Sequence, residues 1–300
     1  MPLKELRVDL APGFKRIDIK GRRDILSRIL EGHFVTLFKG KGMEFTGYRS
    51  YSYGDDASLI DWPASLRSRE TLVKEFETYR NLSVYILLDV SNSMLFTSTR
   101  ANKLKVEYAA ELASSLAWAV LRTNNSVGMS MFNDHLVNRI YPDIGQGMIR
   151  RINKDLSDPQ KYGGNFDLRR ALQELRAFYK DKAVLIIISD FLGMNEGWER
   201  YLTGLHDQFE LLGIMIRDPR DNTLPHMYGQ VRVQDPYSDD VMLVDIHQYR
   251  EEYAKTVEEE EKRLRNAFGV SKYSFLSIMT TDDFNEKIMN FFRRRASIRG

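Results

Sequence analysis

The chain has 300 residues, and 44 Lys and Arg against 42 Asp and Glu leave a formal charge of +2, too close to neutral for charge to point to nucleic acid or another polyanion. Hydrophobic residues make up 43% and charged residues 29%, the mixture of a globular chain long enough to pack a core. Cysteine is absent, which excludes disulfide scaffolds, thiolate zinc sites, iron–sulfur clusters and cysteine nucleophiles.

Met1 to Asp9 interleaves charges with apolar residues where a signal peptide would be apolar. The longest apolar run, Ala183 to Ile188, is far short of the roughly 20 residues a membrane helix needs. A soluble, cytoplasmic protein without a membrane span is expected. Up to about Arg80 the apolar residues are scattered among Gly, Tyr, Arg and Asp, and beyond it strand and helix patterns alternate. The chain therefore reads as a smaller β-rich region over residues 1–80 and a main α/β domain over residues 81–300.

Within the first region, Gly40-Lys41-Gly42 lacks the glycine spacing and the Lys-Ser/Thr ending of a phosphate-binding loop and reads as a turn between strands. Arg49, Asp55, Asp56, Asp61 and Arg67 are the right types for an Arg–carboxylate network pinning this region against the domain that follows. Direct partner binding by the Gly54-Asp55-Asp56 turn is the alternative.

In the second region Val84 to Leu88 is a continuous apolar, β-rich run, as is Ala183 to Ile188. Such runs suit strands buried on both faces of a parallel sheet, and they lead into Asp89 and Asp190. Between them, Ala101 to Leu121 places Leu104, Tyr108, Leu112 and Ala119 at helical spacing, with Ser98 or Thr99 as N-cap. A strand is predicted from Val127 to Phe132, helices from Met148 to Leu156 and from Leu168 to Tyr179, a short helix from Glu199 to Phe209 and a strand from Leu211 to Ile216. A Pro/Asp/Asn-rich loop from Asp218 to Pro225 follows, then a hairpin of Gln230 to Val233 with Val241 to Val244. A helix through Leu264, with Glu258 to Glu261 as a solvated face, a strand from Tyr273 to Ile278 and a final helix to Phe292 complete the chain. Arg293-Arg294-Arg295 complements the dipole of that last helix. The alternation implies crossover connections and a doubly wound, mostly parallel sheet.

The sharpest chemical feature is Asp89-Val90-Ser91-Asn92-Ser93-Met94 directly after the first buried strand, because ligand sites in open α/β sheets lie at the carboxyl ends of strands. Alternate residues 89, 91 and 93 can turn three oxygens inward, the donor type a hard cation such as Mg²⁺ takes. Asp190 supplies a second carboxylate from the neighbouring strand end. The plainer reading is that Ser91 and Ser93 satisfy backbone donors of the turn.

The Asp89-x-Ser91-x-Ser93 turn, the helix after it and the Ser189-Asp190 strand end resemble a von Willebrand factor A domain, whose motif is a metal-ion-dependent adhesion site. The resemblance implies that Ser91 and Ser93 hold Mg²⁺ directly, with Asp89 and Asp190 acting through water or hydrogen bonds and one position open for a partner's carboxylate. The family's threonine is missing from Gly163-Gly164-Asn165-Phe166-Asp167-Leu168, so the site is degenerate. Asn165 could offer an amide oxygen and Asp167 a carboxylate, and Asp167 could equally be the N-cap of the following helix.

Further motifs narrow the likeness: Gly40 to Phe45, Arg49 to Asp56, Ile60-Asp61-Trp62, Arg67, Val73 to Glu77, Arg217-Asp218-Pro219, Leu224-Pro225 and Thr280-Thr281. Together they resemble the domain of unknown function 58 family in its short form without membrane helices. The resemblance implies a non-enzymatic adaptor or chaperone-like partner of a MoxR-type AAA+ ATPase and of client proteins. Two alternatives stand beside it: a metal-dependent phosphohydrolase using Asp89 and Asp190, and a metal-free scaffold held by Asp167 and internal hydrogen bonds. Against the first, a phosphoaspartate mechanism needs a second carboxylic acid two residues after the nucleophile, and that position is Ser91. His33, His135, His206, His226 and His247 are scattered, with no pair at metal-ligand spacing.

Overall fold

The computed structural model describes residues 6–10, 44–77, 83–98, 103–224, 229–238, 240–269 and 274–296. Met1 to Glu5, the Gly40-Lys41-Gly42 turn, Thr99, Pro225, Tyr273, His33, His226 and the side chains of Arg293 and Arg295 lie outside the described residues. The chain divides into two compact units, residues 33–81 and residues 1–32 with 82–300.

In the smaller unit, β1 (Glu44–Ser50) pairs antiparallel with β2 (Leu72–Glu77), Arg49 opposite Val73, with an irregularity between Phe45 and Gly47. Between the strands lie a 3₁₀ turn at Ala57–Leu59 and helix α1 (Trp62–Ser68). Asp56 and Asp61 start these two turns by accepting the Ser58 and Ala64 N–H groups at 2.9 and 3.0 Å, the role that short acidic side chains play at helix N-termini. Pro63 sits in the first turn of α1, where its missing N–H costs nothing.

The larger unit is built on six strands: β3 (Ser83–Asp89), β4 (Ser126–Phe132), β5 (Ile140–Asp143), β6 (Ala183–Ser189), β7 (Phe209–Arg217) and, after a separate hairpin of β8 (Gln230–Gln234) and β9 (Val241–Asp245), β10 (Phe275–Met279). Their order across the sheet is β10-β7-β6-β3-β4-β5. All neighbours are parallel except β5, which joins β4 antiparallel at the edge. This is the doubly wound, mostly parallel α/β sheet expected. From β3 the chain first moves to β4 on one side, then returns to place β6 on the other. That reversal opens a crevice at the carboxyl ends of β3 and β6.

The helices are α2 (Lys105–Arg122), α3 (Gln146–Leu156), α4 (Leu168–Phe178), α5 (Trp198–Thr203), the one-turn α6 (Pro219–Asn222), α7 (Ile246–Phe268) and α8 (Phe284–Ala296). Helix α2 is almost wholly buried and packs on the central strands and α3. On the opposite face, Leu168, Ala171, Leu172 and Leu175 of α4 join Leu202, Leu205, Leu264 and Phe268 against alternate residues of β3, β6 and β7. The i, i+3, i+4, i+7 spacing of the α4 residues makes one apolar stripe, and each large aliphatic buried there contributes about 2 kcal/mol. Gly213 in β7 leaves room for this packing, since a Cβ there would lie 2.6 Å from the Phe275 ring and 2.9 Å from Phe268.

Four features differ from the sequence reading. Strand β5 was not expected, Lys105 rather than Ala101 opens the first long helix, the short helix expected from Glu199 to Phe209 ends at Thr203 with Phe209 opening β7, and the loop after β7 closes into α6. A capping box forms that last turn: Asp218 accepts from Arg220 N–H, and Asp221 accepts from Asp218 N–H, each at 2.9 Å. Among the described residues no helix is long and apolar enough to cross a membrane.

Candidate functional site at the carboxyl ends of β3 and β6

Asp89 and Asp190 lie side by side at the crevice, both fully buried. Asp89 Oδ1 accepts the Ser91 N–H at 2.8 Å, and its Oδ2 accepts the Ser189 hydroxyl at 2.5 Å. Ser189 Oγ in turn accepts the Phe191 N–H at 2.8 Å, holding Phe191 at φ +53°, a backbone region that costs energy for a bulky residue. Its ring packs on Phe268 and Phe275 in return. Burial pushes the Asp89 carboxyl above the ordinary carboxylate range, and the neighbouring Asp190 charge adds to the rise.

The serine turn completes the cluster. Ser93 Oγ donates to Asp190 Oδ1 at 3.0 Å, Ser91 Oγ lies 3.4 Å from Ser93 Oγ, and both serines are at most 2% exposed. The structure thus brings Asp89, Ser91, Ser93 and Asp190 together. The glycine loop is stitched beneath the same turn: Gly163 N–H donates to Val90 O at 2.7 Å and Asn92 N–H to Gly164 O at 2.9 Å. Both glycines have positive φ, +101° and +104°, where a side chain would be strained. Asn165 is exposed, and Asp167 is the N-cap of α4, accepting the Arg170 N–H at 2.9 Å.

Lys105, Asp221 and Tyr237 also belong to the site, and sequence reasoning missed all three. Lys105, the first residue of α2, is 1% exposed, and its Nζ donates to Asp190 Oδ2 at 2.7 Å and to Asp221 Oδ2 at 2.8 Å. The Phe96 ring centroid lies 5.7 Å from the same ammonium. Burial alone would push the Lys105 amine down, but the two carboxylates outweigh it and hold the amine above its ordinary range. A signal existed: Lys105, Tyr108 and Leu112 fall at i, i+3 and i+7 on the buried stripe of α2.

Tyr237 comes from the tip of the β8–β9 hairpin, where Asp235 accepts its N–H at 2.8 Å. Its hydroxyl lies 3.3 Å from Ser91 Oγ and donates to Leu192 O at 3.2 Å, closing the serine turn from outside. Burial pushes the phenol pKa up. Its ring packs so tightly on Gly193 that a Cβ there would lie 2.9 Å from Tyr237 Cε2.

Mg²⁺ requires a near-octahedral shell of oxygens. Here Asp190 has one oxygen on Ser93 and Leu192 N–H and the other on an ammonium, and both Asp89 oxygens are engaged. A divalent charge would also be set against that of Lys105. Among the described residues no three His, Cys, Asp or Glu side chains group as metal ligands. In this arrangement the residues do not fit a resident divalent cation.

The predicted Arg–carboxylate residues all make contacts inside the smaller unit. Arg49 grips Asp55 with two parallel bonds of 2.6 and 2.7 Å. Asp56 and Asp61 act as caps, Asp61 also accepting from Tyr48 at 3.1 Å and pairing with Lys74 at 3.3 Å. Arg67 donates instead to the Pro63 carbonyl at 3.1 Å.

A family profile described as "Protein of unknown function DUF58" matches residues 47–263. "Uncharacterized protein Rv1480" of Mycobacterium tuberculosis (strain ATCC 25618 / H37Rv) is 28% identical over 282 residues, 92% of this chain and 87% of that protein. "Uncharacterized protein MAV169" of Mycobacterium avium is 31% identical over 137 residues, 45% of this chain and 80% of that one. Among solved structures, the conserved hypothetical protein BatB from Bacteroides thetaiotaomicron is similar with a TM-score of 0.44 and 16% identity, covering 72% of this chain and 99% of that one. A von Willebrand factor type A structure from Catenulispora acidiphila is similar with a TM-score of 0.41 and 13% identity, covering 76% of this chain and 44% of that one.

Proposed function

The chain belongs to the DUF58 family, and from that premise we propose that it is a non-enzymatic protein-interaction module, an adaptor or chaperone-like partner of a MoxR-type AAA+ ATPase and its clients. The observation that carries the reading is the serine turn set between two strand-end aspartates, at the sheet edge where doubly wound folds receive ligands. Two observations weigh against the phosphohydrolase alternative: Asp89, the candidate nucleophile, has both oxygens bonded, and position 91 is a serine rather than a general acid. An acidic side chain of the partner would be received at Ser91 and Ser93. Both serines are buried, and the Tyr237 hydroxyl rests on Ser91. Binding there therefore requires Tyr237 to withdraw.

The test uses the full-length chain and the purified MoxR-type AAA+ ATPase of the same organism, with affinity measured by sedimentation in Mg²⁺ and in chelator. Tyr237→Ala is expected to tighten the complex and Ser91→Ala/Ser93→Ala to weaken it, each by on the order of tenfold, the worth of about one hydrogen bond. A complex indifferent to both changes, or no complex at all, overturns the proposal.

A further inference from the structure

We infer that the Lys105 ammonium is the built-in counter-ion of this site, standing in for a divalent cation, so that the module works without metal. The inference deepens the reading of the strand-end cluster as the binding face and concerns the same side chains.

Lys105 is a costly residue where it stands. Burying an isolated ammonium is strongly unfavourable, and the first turn of a helix is the positive end of its dipole. Only a local excess of negative charge holds it there. Asp190 and Asp221 supply that excess at 2.7 and 2.8 Å, from two different strand ends. Asp221 is locked in turn by the Asp218 N–H at 2.9 Å, and Asp218 by the Ser98 N–H at 2.9 Å. The ammonium thus draws the connections after β3, β6 and β7 onto the start of α2, the organising work that a bound cation does in a metal-centred site. It also takes the Asp190 oxygen that Ser93 and the Leu192 N–H leave over. A tethered monovalent charge and a divalent ion would compete for the same carboxylate, and the tethered one is always present.

Removing the ammonium should therefore create a metal site. The probe is Mn²⁺ alone, followed by electron paramagnetic resonance on the full chain. The wild type and Lys105→Arg are expected to leave the aquo-ion spectrum unchanged. Lys105→Ala is expected to take up one Mn²⁺ per chain, and to lose it when Ser91→Ala/Ser93→Ala is added. Lys105→Ala leaves the buried Asp190 carboxylate facing the part-buried Asp221 carboxylate, so Lys105→Ala/Asp221→Asn serves where the single variant does not fold. Mn²⁺ bound by the wild type, or left free by a folded Lys105→Ala or double variant, overturns the inference. The ATPase affinity of the wild type is measured in parallel in Mg²⁺ and in chelator. A complex absent in both overturns the interaction reading and leaves the counter-ion assignment to the Mn²⁺ spectra, whereas a complex formed in Mg²⁺ and lost in chelator overturns the counter-ion assignment.

Discussion

Single side chains in this protein are held by charge in two contrasting ways. Asp55 is part-exposed and gripped by Arg49, and the Ser52 N–H adds a second donor, so its carboxyl is lowered from 3.8 to about 2. Asp89 is buried without a cation of its own and is raised. For Asp55 the folded chain holds a proton less readily than the unfolded one. Its contribution to stability is complete above pH 3.8 and is lost as pH falls toward 2. A carboxyl-carbon NMR titration of the full chain should place the Asp55 midpoint near 2 and return it toward 3.8 in Arg49→Ala. A wild-type midpoint at the ordinary aspartate value would refute the pairing.

The elements meet where residues are small enough to let them. Gly213 lies in β7 under the rings of Phe268 and Phe275, and Gly128 lies where β4 meets β5, a Cβ there falling 2.6 Å from Ile140 O. Gly213→Ala is expected to destabilise the chain by about 1–3 kcal/mol, the usual cost of overpacking a core. Urea unfolding would read this as a lower midpoint at unchanged slope; an unshifted midpoint would mean that α7 and β10 yield freely. Most elements were legible beforehand because continuous apolar runs and helical stripes survive in the sequence, as in Val84 to Leu88 and Leu168 to Leu175. Strand β5 was not, because Ile140–Asp143 is short, carries Pro142 and is a strand only through its pairing with β4.

For the larger unit as a whole, the burial pattern sets a hierarchy of stability. Strands β3 and β6 are flanked by neighbours on both sides and buried along almost their whole length. The β8–β9 hairpin is a separate two-stranded sheet with Val241, Met242 and Leu243 exposed. Native-state hydrogen exchange should show Val84 to Leu88 and Leu185 to Ile188 exchanging only through global unfolding, and the hairpin through local opening. Equal protection in both would remove the freedom that the Tyr237 gate requires.

The sequence by itself determined the α/β alternation, the strand-end aspartates and the serine turn between them, because these are local: a strand buried on both faces must be apolar, and the polar residues that follow the apolar run mark its end. Whether Asp167 would act as a ligand or a cap was open in the sequence, and in the fold its carboxylate accepts the Arg170 N–H. Only the tertiary structure decided how the site is closed. Lys105 reads as an ordinary helical lysine until β6 and α6 bring Asp190 and Asp221 to it, and Tyr237 lies 146 residues from the serine it covers. Helical spacing marks Lys105 as lying on the buried stripe of α2, but the carboxylates that balance its charge are distant in the chain, so spacing along the sequence does not identify them.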